Sequence, residues 1–457
     1  MISVLEKIKH FYWRAGCGLT AIEYKSVSAL AEEIDKVFLA SRKFEPITFE
    51  EIKKFGTDGS LEVDQMKGNN HNNGVWRVSL GYIWLQKLVV DPSFVREKMA
   101  FFWSNHFACQ INSAAVALDF TNSIRQHALG KFPDLLFAVS KSAAMSGYLN
   151  IKKNIKAQPN ENFARELMEL FTLGRGNYSE TDVREAARAL TGWSINKDLK
   201  FYINTPYHDD GVKTFLGKSG NFSGDDILNA ILANKQCAIF LTRKIYRYFV
   251  NEIPDERRIE VLANDFFSTG YDIERLMRTI FSSAWFYEDK NVGNRIKSPL
   301  DLLAGMMKSV NVRMANSTRF LAYMRMTGQE IFQPPNVAGW PIGKAWIDNS
   351  RLLVRLTMPQ WIFQKKHPVI QPQNTFDAQD IQTKNVSEIE TSLITFNFDV
   401  LKNLSPDHTD PSPELLAKYF LPIELNDSLM LLLKKYAAED FKLQTIKMMA
   451  LPEYQLC

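Results

Sequence analysis

Between residues 159 and 176 the chain reads PNENFARELMELFTLGRG. Glu161, Glu166 and Glu169 share this stretch with Arg165 and Arg175. The same residue types serve acid–base chemistry, metal binding or a salt-bridged helix face. On a wheel of about 100° per residue, Phe163, Ala164, Leu167, Met168, Leu170 and Phe171 span about 160° on one side, and the charged residues take the opposite arc. Glu161/Arg165 and Arg165/Glu169 are oppositely charged i,i+4 neighbours. Carboxylate metal sites in helical bundles join acids to histidine, often as Glu-x-x-His. Here the spacing is Glu-x-x-Glu, so a histidine would have to come from elsewhere in the chain.

Two histidines are placed to do so. His106 lies in the helix expected over Ser93 to Ala108, within about 60° of Val95, Met99 and Phe102 on the wheel. A core histidine bonded to a carbonyl or carboxylate is the plain reading, and a metal or proton-transfer role the sharper one. His208 sits in YHDDG, exposed by default as a loop residue. The candidate catalytic residues are therefore Glu161, Glu166, Glu169 and His208. The candidate ligands for an oxygen-liking divalent ion are His106, Glu166, Glu169 and His208. Asn160-Glu161 also matches the acid/base dipeptide of many barrel glycosidases, but the repeating βα pattern of a barrel is missing.

The elements that would hold these residues are mostly helical. Gly174 stops the signature helix and Ser179, with Asp182 three residues on, starts another, giving an αα-hairpin over Asn160–Trp193. Arg184 and Arg188 on its second helix would reach Glu166 or Glu169. Thr20/Glu23 and Thr48/Glu51 are further capping boxes. Helices are expected over about 28–41, 74–90, 119–129 and 133–149, and residues 56–74 read as a Gly/Asn-rich loop. Residues 196–224 break the pattern, with short alternating runs around Asp-Asp-Gly. Segments 130–149 and 269–288 echo each other as a duplicated helical unit would. GQEIFQPPNVAGWPIGKAWIDN, with Asn336, Trp340 and Trp346, reads as an ordered loop.

The fold class expected is mainly α: a large multi-helix bundle-like domain with a small β-hairpin inserted around residues 199–217. Residues 1–365 form the main domain with the insertion at 196–224. Residues 366–411 form a polar linker or surface excursion, and 412–457 C-terminal helices packing on the main domain. With 457 residues, 46% of them apolar and 23% charged, the chain has the composition of a soluble globular protein. The aromatic share of 12% points to helix contacts filled by Phe and Trp. A net charge of +4 lacks the basic stripe of a nucleic-acid binder. Cys17, Cys109, Cys237 and Cys457 are scattered, which fits a reducing compartment without a disulfide framework. No membrane span is expected. The first residues carry no signal peptide pattern, so a cytoplasmic location is expected, with the cell envelope, reached by export with a partner, as the alternative.

YWRAGCGLT (12–20), FFWSNHF (101–107), NENFARELMELFTLGRGNYSETDVREAARALTGW (160–193), HDDGVKTFLG (208–217), KSPLDLL (297–303) and QPPNVAGWPIGKAWIDN (333–349) together resemble a large bacterial family, domain-of-unknown-function 1800. Relatives often carry an aromatic where this chain has Cys17, and many have an export signal. The resemblance implies a mainly helical fold. It also implies a partner, a sulfatase-like hydrolase of the domain-of-unknown-function 1501 family, whose members are often encoded alongside. The leading expectation is a helical protein binding a polymer or protein beside that hydrolase. Its binding residues would be Asn160, Arg165, Tyr178, Asp182, Trp193, Asp209, Asn336, Trp340 and Trp346. The tryptophans would supply flat apolar contact area. The rivals are a divalent-metal-dependent enzyme and a purely structural scaffold.

Overall fold

Many helices in this chain begin where side chains cap them. Ser3 with Glu6, Thr20 with Glu23, Ser179 with Asp182, Ser223 with Asp226 and Ser298 with Asp301 form reciprocal capping boxes. Thr48 and Glu51 make the same pair of bonds. Each box satisfies two N–H groups that a first helical turn leaves open. The computed structural model describes residues 3–56, 70–314, 317–364, 394–423 and 425–457. The chain is mainly α-helical, with small β-hairpins inserted. It divides into two compact units. One comprises Met1–Glu33, Tyr287–Gln329 and Ile342–Cys457, the other Ile34–Phe286 and Glu330–Pro341.

In the first unit, the Val4–Ala15 helix buries Phe11 and Trp13. Trp13 lies so close to Gly305 of the Pro299–Ser309 helix that a Cβ there would sit 2.6 Å from the indole. The Lys297 ammonium lies over the same indole, 3.6 Å from the ring of Trp13 and 3.9 Å from that of Tyr454. It donates to Tyr454 O at 2.7 Å. Burial pushes Lys297 down to about 7, because an ammonium without water is costly even against two π faces. The C-terminal helices expected over 412–457 are Pro413–Phe420, Asp427–Tyr436 and Phe441–Met449. Of the polar linker expected over 366–411, residues 366–393 lie outside the described residues. The rest pairs Ile394–Thr395 with Arg313–Met314 and packs the Phe398–Leu404 turn against Ala21–Ser26.

In the second unit, the Phe94–His106 helix runs through the interior, buried along most of its length. The helix expected from Gly74 begins earlier, as Asn70–Val90; residues 57–69 of the expected loop lie outside the described residues. The stretch read as one helix over 133–149 is two, Phe132–Ser140 and Ala143–Tyr148, because Ser142 caps a new start. The two echoed segments touch at their beginnings. Phe132 N donates to Tyr271 O and Ile273 N to Gly130 O, each at 3.0 Å.

The insertion holds two hairpins rather than one. β1 (Trp193–Ile195) pairs antiparallel with β2 (Phe201–Ile203), and β3 (Lys213–Phe215) with β4 (Lys218–Gly220). Asn196 closes the first turn by accepting from the N–H groups of Asp198 and Lys200, each at 2.9 Å. Leu216 and Gly217, both at positive φ, close the second, as a two-residue hairpin requires. The Asp-Asp-Gly that suggested a hairpin turn is the connection between the two ribbons.

Lys297 yields a pH signature. Its folded pKa is about 7 against an ordinary value of 10.5. The unfolded chain therefore binds the extra proton between these values, and stability rises with pH across that window. Lys9 and Lys244, both pushed down to about 8, act in the same sense. Lys297→Met is expected to flatten the rise, read as urea midpoints at about pH 6.5 and about pH 9.5.

Candidate functional site

The signature helix is not regular throughout. Asn162–Glu166 is α-helical and Leu167–Thr172 widens into a π-helix, ended by Gly174 at φ +81. The last carbonyls of a helix have no partner within it and need donors from elsewhere. Side chains from two other helices supply them. His106 Nε2 bonds Phe171 O at 2.9 Å. Lys244, on the Lys235–Phe249 helix, donates to Leu170 O at 2.8 Å. Gln236 of the same helix and Asn177 both donate to Leu173 O at 3.1 Å.

The bonding fixes the state of His106. A carbonyl only accepts, so Nε2 carries the proton and Nδ1 presents its lone pair to Lys244 Nζ, 3.2 Å away. Six aromatic rings surround the imidazole, those of Phe102, Trp103, Phe107, Phe132, Phe171 and Phe240, at centroid distances of 4.5–6.5 Å. Burial, and then the Lys244 charge, hold its pKa well below the usual histidine range. His106 is a neutral side-chain cap on the π-turn.

The acids mostly close ion pairs on the hairpin. Arg165 reaches Glu180 through two bonds of 2.8 Å and Glu161 through one of 3.0 Å. Glu169 takes Arg175 at 2.5 Å and the Tyr178 hydroxyl at 3.3 Å. Glu166 makes none of these bonds. Partial burial, and then the neighbouring Glu169, raise its carboxyl. Arg184 bonds Thr181 at 3.0 Å, and Arg188 turns to the insertion, so neither meets Glu166 or Glu169.

The second helix of the hairpin, Glu180–Ala189, holds the insertion through one polar stripe. Asp182 accepts from Leu216 N at 2.7 Å, and Glu185 from Thr214 N at 3.0 Å. Arg188 donates to Asp209 at 2.8 Å and to Val212 O at 3.2 Å. These residues recur every three positions and so share a helix face. Glu185 was missed from the sequence, where only that spacing could have revealed it. His208 does fold back onto the hairpin, but its Nδ1 bonds Thr191 O at 2.8 Å and does not join the acids. Asp209 N reaches Thr191 Oγ1 at 2.8 Å, and the Arg188 bond holds the Asp209 carboxyl below its usual range. Asn160 N donates to Asn154 Oδ1 at 2.9 Å. Trp193 is buried against Gly224, where a Cβ would come within 2.3 Å of the ring.

The residue before His106 fastens a third motif. Asn105 accepts from Trp340 N at 2.7 Å and donates to Trp340 O at 3.4 Å. Gly339 passes so close that a Cβ would lie 2.3 Å from the Asn105 side chain. Gln333 bonds Ile111 O at 3.0 Å, and Asn336 accepts from Ala338 N at 2.9 Å within the loop. Trp340 is 7% exposed and Trp346, in the first unit, 3%; both indoles fill interiors. Asn105, Lys244 and Gln333 were also missed, since each acts on a segment far away in sequence. Among the described residues no three His, Cys, Asp or Glu side chains are grouped to hold a metal ion, and no helix is long and apolar enough to cross a membrane.

The family described as "Protein of unknown function (DUF1800)" matches residues 10–456, and this chain belongs to it. No curated protein and no solved structure matches the chain.

His106 gives this assembly a measurable dependence on pH. It is neutral when folded and protonates below about 6.5 when unfolded, so its share of stability is lost as pH falls below that value. His106→Leu leaves Phe171 O without its donor and is expected to cost about 2–4 kcal/mol. His106→Gln restores a donor and should recover part of this loss while removing the acid-side slope. Denaturant midpoints across that pH range measure both effects.

Proposed function

We propose that this protein holds a protein or polymer partner on the exposed side of the 193–220 insertion, and that it works beside a sulfatase-like hydrolase of the DUF1501 family. The observation that carries this reading is where apolar surface stays exposed. Tyr202 is 44% exposed, Ile203 46%, Tyr207 50% and Val212 67%. In the described part of the second unit, these four share eleven residues of sequence, while Leu39, Val90, Ile253 and Val261 are the scattered remainder. Single exposed apolar residues are ordinary, whereas a grouped set rimmed by polar residues marks a contact surface. The platform beneath is stiff, because the Asp182, Glu185 and Arg188 stripe grips its backbone at several points. In support, His106, His208 and most of the signature's acids already serve internal bonds.

A metal-dependent enzyme remains the second reading, favoured by one observation: Glu166 has no ion-pair partner among the described residues and feels Glu169. Elemental analysis of the purified protein separates the two. Stoichiometric divalent metal, lost in Glu166→Ala, would replace the binding reading with the enzymatic one.

The binding reading predicts that the chain and the hydrolase co-elute in gel filtration. Tyr202→Ala combined with Tyr207→Ala should weaken that association about tenfold or more, with the fold retained. Undiminished association would move the contact away from the insertion.

A further inference from the structure

The register of the first ribbon determines which backbone groups face away from it. Asn204 N donates to Gly192 O at 2.7 Å and Asn196 N to Lys200 O at 2.9 Å, with Ser194 opposite Tyr202. Hydrogen-bonded and non-bonded pairs alternate along an antiparallel ladder. The bonded pairs are therefore 192/204, 194/202 and 196/200. The N–H and C=O groups of Phe201 and Ile203 point outward from β2, and no backbone group among the described residues meets them. An edge of this kind is a template for a further strand.

The surroundings indicate which strand would fit. Lys197 and Lys200 are exposed at the start of β2. Lys152, Lys153 and Lys156 are exposed on the segment beside the ribbon, where Lys156 N bonds Tyr207 O at 2.9 Å. Against these five lysines stand the exposed acids Asp119, Asp198 and Asp210, Asp119 lying within the field of Lys200. The edge thus combines open backbone groups, two exposed tyrosines and an excess of positive charge.

We propose that β2 accepts an extended acidic segment of a partner protein as an added strand. The segment would bond to the backbone of Phe201 and Ile203, set its carboxylates beside the lysines and lay its apolar side chains against Tyr202 and Tyr207. This rests on the reading of the insertion as the binding face and names the class of partner. An anionic polysaccharide would use the lysines and tyrosines and ignore the outward N–H and C=O groups, which is the basis of the test.

A displayed library of peptides of about ten residues, alternating Glu or Asp with Val, Ile or Thr, is selected on the purified full chain. Binding is then measured by fluorescence anisotropy. Ile203→Pro deletes one outward N–H and leaves the ladder to β1 intact, since Ile203 belongs to a non-bonded pair. Circular dichroism checks that the fold persists. Acidic peptides are expected to be enriched, and Ile203→Pro to weaken them about tenfold or more. Lys197→Glu with Lys200→Glu, at two exposed positions, should do the same and reduce the salt dependence. The proposal is overturned if no acidic peptide is enriched, or if Ile203→Pro leaves affinity unchanged. It is equally overturned if a sulfated polysaccharide takes the face and Ile203→Pro does not affect it. Where Tyr202→Ala/Tyr207→Ala releases the hydrolase and Ile203→Pro does not weaken the peptides, the binding face stands and strand addition falls. Where neither has an effect, both fall.

Discussion

A buried carbonyl has to be hydrogen-bonded, and the end of the signature helix leaves three carbonyls open, one of them fully buried. Leu170 O, Phe171 O and Leu173 O are met by Lys244, His106 and Gln236 with Asn177. Leaving the buried Phe171 O unpaired would cost about 1–3 kcal/mol, a large part of ordinary domain stability. The requirement explains the side chains themselves. A neutral imidazole can donate through one nitrogen while accepting through the other, so His106 bonds the carbonyl and the ammonium of Lys244 together. A lysine beside it supplies several donors in a place where aromatic rings fill most of the space. The π-turn, its two caps and the aromatic shell therefore come as one unit.

Built on that turn, the hairpin's second helix acts as a clamp. Asp182 serves twice, capping the start of its own helix at Ser179 and taking the Leu216 N–H at the tip of the second ribbon. Leu216 sits at positive φ, a conformation that ordinary side chains adopt at some cost, and the Asp182 bond holds it there. The charges that look like an active-site cluster in the one-dimensional sequence mostly pair within the hairpin, while Asp182, Glu185 and Arg188 position the insertion. Most are spent in pairs, and the insertion keeps the exposed apolar residues.

What could be read beforehand follows from distance along the chain. Capping boxes at Thr20, Thr48 and Ser179, the stop at Gly174 and the helical class depend on neighbours within a turn or two, and all are realised. His106 as a core histidine bonded to a carbonyl could be read from its place on the apolar stripe; the identity of the carbonyl could not. The π-turn was invisible, since a wheel drawn at a fixed angle assumes the very regularity that the turn breaks. Ion-pair partners were harder. Arg165 keeps Glu161, its i,i+4 neighbour, but finds its tighter partner in Glu180 across the hairpin, and Arg188 is drawn away by Asp209. The ordered character of the Trp340 loop was legible from its tryptophans, whereas the anchoring of the Trp340 backbone depended on Asn105, more than two hundred residues earlier.

Asn105 and His106 are consecutive, so successive side chains diverge by about 100° around one axis. One grips the glycine–tryptophan loop and the other the widened turn. Any roll or slip of that terminus would withdraw both holds in a single motion, like two cams on one shaft. The two segments are therefore both fastened to one helix terminus.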